Sequence, residues 1–389
     1  MRYIIFTFLI IATASCHRTD KIRPDESGLF MKFFGGAGNE IAYAAEETPD
    51  GGYILVGSTA SPLTGVKNAL IIKTDKNGNK IWEKTVGGEK NGEARDVKVG
   101  SDGSYVVLGY CTNADGFTDF LLMRFNSGGA VLDSLTFGMG ERNEIGTYIK
   151  ITEDKNYLLG GIVTNEDNTS DMYFVKTDLS SKLWERKYGL VGEMDEIGSI
   201  DEIENGNLII CGTVRRGGTT DMRVVKADPF GNLMWDYAFG FGNNRNETGK
   251  CLKVLADGYI VVGTSYDTPD GKGDVFLVKL NRQGISQWEK KIGGAGEQIG
   301  NSIDLTGDNG YIITGSSEKS QDHHNIYLLK VNSEGNTSWE ESFGGGGMNS
   351  GNYVKTTKDK GYLILGTTDI VNNSIINMIK TNASGRLTN

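Results

Sequence analysis

Gly78-Asn-Lys-Ile-Trp82 and Gly231-Asn-Leu-Met-Trp235 are two copies of one phrase, and all five tryptophans of the chain, Trp82, Trp184, Trp235, Trp288 and Trp339, stand in its last position. Their spacings are 102, 51, 53 and 51 residues, so the first interval covers two beats of a period near 50. Repeats of that length, built from short apolar runs and glycine turns, mark a β-propeller in which each repeat is one four-stranded blade. The empty beat falls at Leu132-Asp133.

Other slots recur on the same beat, seven times each. An apolar strand, usually led by tyrosine, ends at Gly57, Gly109, Gly161, Gly212, Gly263, Gly315 and Gly366. The strand after it closes on Lys73, Arg124, Lys176, Lys226, Lys279, Lys330 and Lys380. In the sixth repeat the four strands, A to D, read as residues 302–305, 311–316, 326–331 and 338–343. Strands B and C are apolar on both faces, as expected of a sheet held between two others. The seventh repeat stops before strand D, while Phe30-Met-Lys-Phe-Phe34-Gly35 matches Trp82-Glu-Lys-Thr-Val86-Gly87 slot for slot. The expectation is an all-β chain, a seven-bladed β-propeller of four-stranded antiparallel blades over residues 29–389. The N-terminal strand completes the last blade and leaves no open sheet edge.

A small residue recurs in strand A at Ala42, Ala94, Gly146, Gly198, Gly249, Gly300 and Gly351, as expected where inner strands converge on a narrow channel. Lys73 and Glu83 lie equally far from Gly78, and Lys226 with Asp236, Lys279 with Glu289 and Lys330 with Glu340 repeat that symmetry about their own turns. Residues equidistant from a hairpin turn face each other, which predicts a cross-strand ion pair in each blade.

The chain has 389 residues with 55 glycines and only 5 prolines, which suits a fold made of turns. Its 40 basic and 50 acidic residues give a net charge of -10, which argues against a nucleic-acid partner. At the N-terminus, Arg2, an apolar run to Ala12 and the small residues Thr13-Ala14-Ser15 read as a signal peptide over residues 1–15. The apolar run is too short to span a bilayer, which takes about 20 residues. Thr13-Ala-Ser-Cys16 resembles the lipobox of bacterial lipoproteins. That resemblance implies cleavage before Cys16, lipidation of Cys16 and an anchored tether over residues 16–28. His17 replaces the aspartate of a known inner-membrane retention signal, so the outer membrane is the expected location. Membrane contact is expected through the anchor only, with the propeller itself monomeric.

Asp75-Lys-Asn-Gly78-Asn-Lys-Ile-Trp82 is similar to the blade signature of quinoprotein alcohol dehydrogenase-like propellers, with one residue fewer in the turn. The repeats also resemble kelch repeats, with Gly57-Ser58 in place of Gly-Gly, and the Gly-Gly-Tyr-Ile repeats of many secreted bacterial proteins. These resemblances imply a fold, and they imply that each tryptophan, and Phe30 in the same slot, docks against the adjacent blade. They imply no active site, since no residue here matches the quinoprotein cofactor pocket or its calcium.

The three histidines are His17 beside the anchor and the adjacent pair His323 and His324, in what reads as a surface loop. No catalytic triad or zinc set can be built from them. Cys111, Cys211 and Cys251 lie on strands and read as buried thiols, with pairing of Cys211 and Cys251 left open. The B-C and D-A loops share one rim, and the B-C loops differ from repeat to repeat. Candidates for partner contact there are Phe117, Asp119, Asp167, Asp171 and Tyr266, followed by Asp267, Asp270, Asp274, Asp322 and His323. The D-A loops mostly end in an acid or amide, Glu40, Glu93, Glu144, Glu196, Glu247 or Gln298, which makes the rim read as acidic. No cofactor is expected, although Asp267, Asp270 and Asp274 leave Ca²⁺ open without EF-hand spacing. Two functions fit. One is a lipid-anchored binding or scaffolding propeller that holds an envelope protein or polysaccharide on the variable rim. The other is a carbohydrate-active hydrolase using two rim carboxylates as acid and base.

Overall fold

The computed structural model describes residues 28–189, 192–240, 245–266, 271–320, 323–370 and 373–388. Cys16, Asp267, Asp270 and Asp322 lie outside the described residues. The described chain contains 28 strands, from β1 (Phe30–Phe34) to β28 (Asn373–Thr381). The first four-stranded sheet is β2 (Asn39–Glu47), β3 (Tyr53–Ala60), β4 (Lys67–Thr74) and β5 (Lys80–Val86), each antiparallel to the next. The same A-B-C-D order repeats along the chain. One apparent eight-stranded sheet is two such units joined only by the parallel pair Ser170 and Met194. The last sheet is β26 (Asn349–Thr356), β27 (Tyr362–Ile370) and β28, with β1 as its fourth strand. Phe30 pairs with Lys380 and Phe34 with Ile376, so the N-terminal segment occupies the edge that the last repeat leaves empty.

The apolar runs of strands B and C cover both faces of each sheet because each sheet is sandwiched. Seven buried clusters result, and each straddles two consecutive sheets. Val106, Leu108 and Phe120 of the second meet Leu159, Tyr173 and Val175 of the third. Leu55 and Ile72 of the first meet Leu363, Leu365 and Met378 of the last. Each fully buried Ile, Leu or Val contributes about 1.5–3 kcal/mol. Sheets stacked face to face in this order make a β-propeller-like arrangement.

Several expectations change at the level of register. In the sixth repeat the strands are longer than expected, at Gln298–Leu305, Tyr311–Ser320, His323–Val331 and Thr337–Phe343. The B-C hairpin there extends outward, so His323 and His324 begin a strand where a surface loop was expected. In strand A of the fourth repeat, Ile197 takes the register of Ala42 and Gly198 the next position.

The small residues of strand A answer to the neighbouring sheet. A Cβ added at Gly146 or Gly300 would lie 2.6 or 2.7 Å from the carbonyl oxygen of Gly109 or Gly263, on strand B of the preceding sheet. Crowding around the channel was the expected cause, and backbone approach between sheets is the observed one.

The expected cross-strand ion pairs are also displaced. Strand β5 carries a bulge at Ile81, so Lys73 pairs with Trp82 while Glu83 pairs with Ile72 and points to the opposite face. Lys73, 2% exposed, instead binds Asp50 in the A-B turn at 2.9 Å and donates to the Thr74 carbonyl at 2.7 Å. Lys176 with Asp154, Lys279 with Asp257, Lys330 with Asp308 and Lys380 with Asp359 repeat that latch. The fourth repeat has Asn205 in the aspartate slot. In the second repeat the strand-closing Arg124 does pair across the hairpin, with Asp133 at 2.6 Å, because Asp133 stands in the tryptophan slot, and in the fourth Asp236 pairs across it with Arg223 in place of Lys226.

Candidate functional site

A bulge in strand A, after the small residue in six sheets and at Gly198 itself in the fourth, builds a distinctive site. Ala42 pairs with Gly57 and Ala44 with Val56, which leaves Tyr43 out of the ladder. The same break releases Arg95, Thr147, Gly198, Lys250, Asn301 and Asn352. An unpaired residue on an innermost strand turns toward the channel, and these seven line a cavity of about 510 Å³. It lies near the starts of the A strands, on the side of the D-A and B-C loops.

Its chemistry is polar, aromatic and varied from sheet to sheet. The Arg95 guanidinium stacks over the Tyr43 ring at 4.1 Å and pairs with buried Glu93 at 2.5 Å. The Tyr43 hydroxyl donates to Glu93 at 2.8 Å, and burial raises its pKa, so it remains a donor. Lys250, 38% exposed, has Glu196 at 3.5 Å. Asn301 donates to the Gly351 carbonyl and Asn352 to the Ala42 carbonyl, which fixes both amides at the wall. Tyr148 and Tyr353 form the floor, and burial pushes both phenols well above the ordinary range. The Tyr148 hydroxyl is 3.7 Å from Cys251 Sγ.

Those two tyrosines also line a second cavity of about 310 Å³ toward the opposite mouth. Three residues beyond each bulge, strand A carries Glu46, Lys98, Lys150, Asp201, Lys253, Asp304 and Lys355. The lysines are matched by acids: Lys98 to Asp96 at 2.7 Å, Lys150 to Asp201 at 2.5 Å, Lys253 to Asp304 at 3.3 Å and Lys355 to Glu46 at 3.8 Å. Burial works against the Lys98 charge, and Asp96 and Glu46 outweigh it. This mouth is charge-paired within itself, whereas the rim-side cavity presents Arg95, Lys250 and hydrogen-bonding groups.

The rim acids behave differently from expectation. Glu40, Glu93, Glu144, Asp195 and Glu247 are all buried, and the slot in the fourth sheet is held by Asp195 in place of exposed Glu196. Glu40 accepts the Thr59 hydroxyl and the Gly36 amide, Glu93 binds Lys67 and Arg95, and Asp195 binds Arg223. Glu93 thereby reaches the preceding sheet, through Lys67 and the Tyr43 hydroxyl, whereas Glu40, Asp195 and Glu247 find side-chain partners within their own sheet.

Several candidate contact residues share that inward role. Asp119, Asp171 and Asp274 occupy one slot of strand C, each directed at the glycine after strand D, Gly138, Gly189 or Gly293. Asp171 also pairs with Lys187 at 2.9 Å. Asp167 is exposed in its B-C turn, where the Thr169 hydroxyl and amide hold its carboxyl below the ordinary range. Phe117 and Tyr266 are half-buried at the rim, and His323 is exposed with Ser320 at 3.1 Å. His324 lies between Glu297 at 3.2 Å and the Met348 sulfur at 3.1 Å. Cys111, Cys211 and Cys251 are free thiols. Among the described residues no group of three or more His, Cys, Asp or Glu is arranged to hold a metal ion. The channel residues were absent from the sequence candidates, although one signal marked six of the seven: each follows the small residue of strand A, the exception being Gly198, which is itself that residue and follows Ile197.

Comparison with known proteins agrees with the architecture. Residues 100–131 match a family model described as "Domain of unknown function (DUF5122) beta-propeller". No curated protein matches. Puromycin hydrolase is similar in structure at 13% identity and a TM-score of 0.51, over 89% of this chain and 52% of that one. A serine mutant of the same hydrolase complexed with PGG gives 13% identity, a TM-score of 0.49, and 89% and 52% coverage. This chain spans about half the length of that enzyme. A protein of unknown function from Dyadobacter fermentans DSM 18053 gives 11% identity, a TM-score of 0.47, and 92% and 100% coverage. These are likenesses of fold.

Proposed function

We propose that this chain is a lipid-anchored, seven-bladed propeller of the cell envelope, tethered through Cys16 at the outer membrane and closed by β1 in the last blade. It binds, holding an envelope protein or glycan on the rim of the B-C and D-A loops, with the rim-side cavity at its centre. The observation that carries this reading is the ring of seven bulge residues. Their backbone position repeats from sheet to sheet while their side chains change from Tyr43 to Arg95 to Asn352. A repeated scaffold that presents six different residue types in seven positions is suited to recognising one shape.

The hydrolase alternative needs two carboxylates flanking an open cleft, about 5–9.5 Å apart. The recurring rim acids are instead buried, with Glu40, Glu93 and Asp195 engaged by neighbouring side chains, which favours binding. The test is affinity capture from envelope extract with wild type and with a variant whose B-C loops are replaced by short glycine turns. A partner recovered by wild type and lost by the variant is expected. Equal recovery by both sinks the rim, and release of reducing ends from envelope polysaccharide would bring back the hydrolase.

A further inference from the structure

A second bulge, in strand D of the first six sheets, turns one side chain out of the ladder on the outer wall, three residues after the C-D turn. The residues are Ile81, Leu132, Leu183, Met234, Gln287 and Ser338. In four consecutive sheets this slot is apolar and open to solvent, with Ile81 56%, Leu132 47%, Leu183 45% and Met234 54% exposed. Exposed Gln287 and Ser338 in the next two sheets show that the fold tolerates polar residues there. Phe230, 65% exposed at the tip of a C-D turn, extends the same arc beside Met234. Apolar side chains on one sector of a slot that the fold leaves free point to something outside the fold.

The position of the tether identifies the occupant. Gly28 lies in a cleft with Gly51 and Lys358 of A-B turns and Lys76 and Asn77 of a C-D turn. The chain therefore enters the propeller on the same end as the apolar arc, beside the sheet that carries Ile81. Residues 16–28 reach no further than about 45 Å when fully extended, which keeps that end close to whatever holds Cys16.

We propose that the arc from Ile81 to Met234, with Phe230, rests on a lipid surface, so that the C-D turns face the bilayer and the variable rim faces away from it. The inference rests on the tether reading for its partner. It deepens the proposed function by giving the binding rim an orientation.

The experiment holds the protein, residues 16–389 with Cys16→Ser and an N-terminal histidine tag, on phosphatidylethanolamine and phosphatidylglycerol vesicles containing a nickel-chelating lipid. The tag replaces the acyl group, so natural lipidation is not required. Tryptophan fluorescence is compared on vesicles with and without phospholipid brominated in the upper acyl chain. Trp82, Trp184 and Trp235 directly follow Ile81, Leu183 and Met234, whereas Trp288 and Trp339 follow polar Gln287 and Ser338. Loss of fluorescence on the brominated vesicles is expected. It should persist in the Trp288→Phe/Trp339→Phe variant and largely disappear in the Phe230→Ser/Met234→Ser variant, whose changes are on exposed residues. An unquenched wild type held on the vesicles overturns the docking, as does equal quenching in the serine variant. Flotation of the natural protein with its own membranes tests the lipid anchor separately, and absence of an acyl group on Cys16 would refute the anchor alone.

Discussion

At the scale of single residues, Glu144 shows how one facing partner sets the state of a buried acid. In the first and fifth sheets the residue opposite the strand A acid is Thr59 or Ser265, and its hydroxyl donates to Glu40 or Glu247. In the third sheet that residue is Val163, so Glu144 has no side-chain hydroxyl to accept from, and only the Met139 backbone offsets its burial by hydrogen bonding. Burial, with the Asp119 charge adding to it, pushes the carboxyl up to about 7. The folded state therefore holds a proton that the unfolded chain releases near the ordinary value of about 4.3. Stability should fall as pH rises from about 4.5 to about 7 and level off above that, where the charge is buried outright. Glu144→Gln removes this loss. Denaturant unfolding should find the variant about equal to wild type at low pH and more stable at pH 8 by on the order of 1–3 kcal/mol. A variant equal to or weaker than wild type at pH 8 would refute the assignment. The acid was plain in the sequence, but its burial was not. A glutamate at the end of a glycine-rich loop reads as solvated, and only the adjacent sheet shows that the first residue of strand A is already inside.

At the scale of elements, neighbouring sheets interlock through an aromatic ring and a glycine. A Cβ added at Gly78, Gly284 or Gly335 would lie 2.7, 2.9 or 2.8 Å from the ring of Phe30, Trp235 or Trp288 on the preceding sheet. Trp82, Trp184 and Trp339 cover Gly129, Gly231 and Gly385 in the same way. Where the ring is missing, at Asp133, the following C-D turn has Leu179-Ser180-Ser181 and no glycine. Both halves of the lock are lost together, which ties the glycine to the ring as well as to the turn. Gly284 and Gly116 both have positive φ, 79° and 93°, but a Cβ at Gly116 meets nothing within 4 Å. Alanine at either site carries the left-handed backbone cost of about 1–2 kcal/mol, and overpacking should add about 1–3 kcal/mol at Gly284 alone. Equal melting temperatures for Gly284→Ala and Gly116→Ala would refute the lock. The lock was legible as a phrase, Gly78 to Trp82, because it repeats. The lysine partners were misjudged because counting outward from the turn takes no account of the bulge at Ile81, which moves every later pair by one residue. A bulge leaves no mark in a single repeat, since any residue can occupy it.

At the scale of the whole molecule, the chain divides into what closes it and what it presents. The closing strand was visible as the match between Phe30–Gly35 and Trp82–Gly87, and β1 does pair with β28 from Phe30 to Phe34. The channel was hard to read in advance, because its lining is the one residue per repeat on strand A that breaks the alternation, and it takes six different identities in seven repeats. Side chains freed from the ladders are thereby concentrated at two kinds of bulge, one opening inward on strand A and one outward on strand D. Reliance on β1 as the fourth strand of the last sheet also carries a hazard. Without it, β28 would present an unpaired edge beside buried Ile376, Met378 and Ile379, the arrangement that templates association between chains. A protein beginning at Gly28 should be monomeric in size-exclusion chromatography with light scattering, whereas one beginning at Gly35 should form oligomers or aggregate. A synthetic peptide of residues 28–36 added in trans should restore the monomer, because it returns the missing strand and the Phe30 ring over Gly78 together. A Gly35 protein that stays monomeric with an unchanged melting temperature would show that the last sheet is complete with three strands. Recovery by a peptide carrying Phe30→Ser as readily as by the natural one would separate the edge from the lock, and leave hydrogen bonding alone to close the molecule.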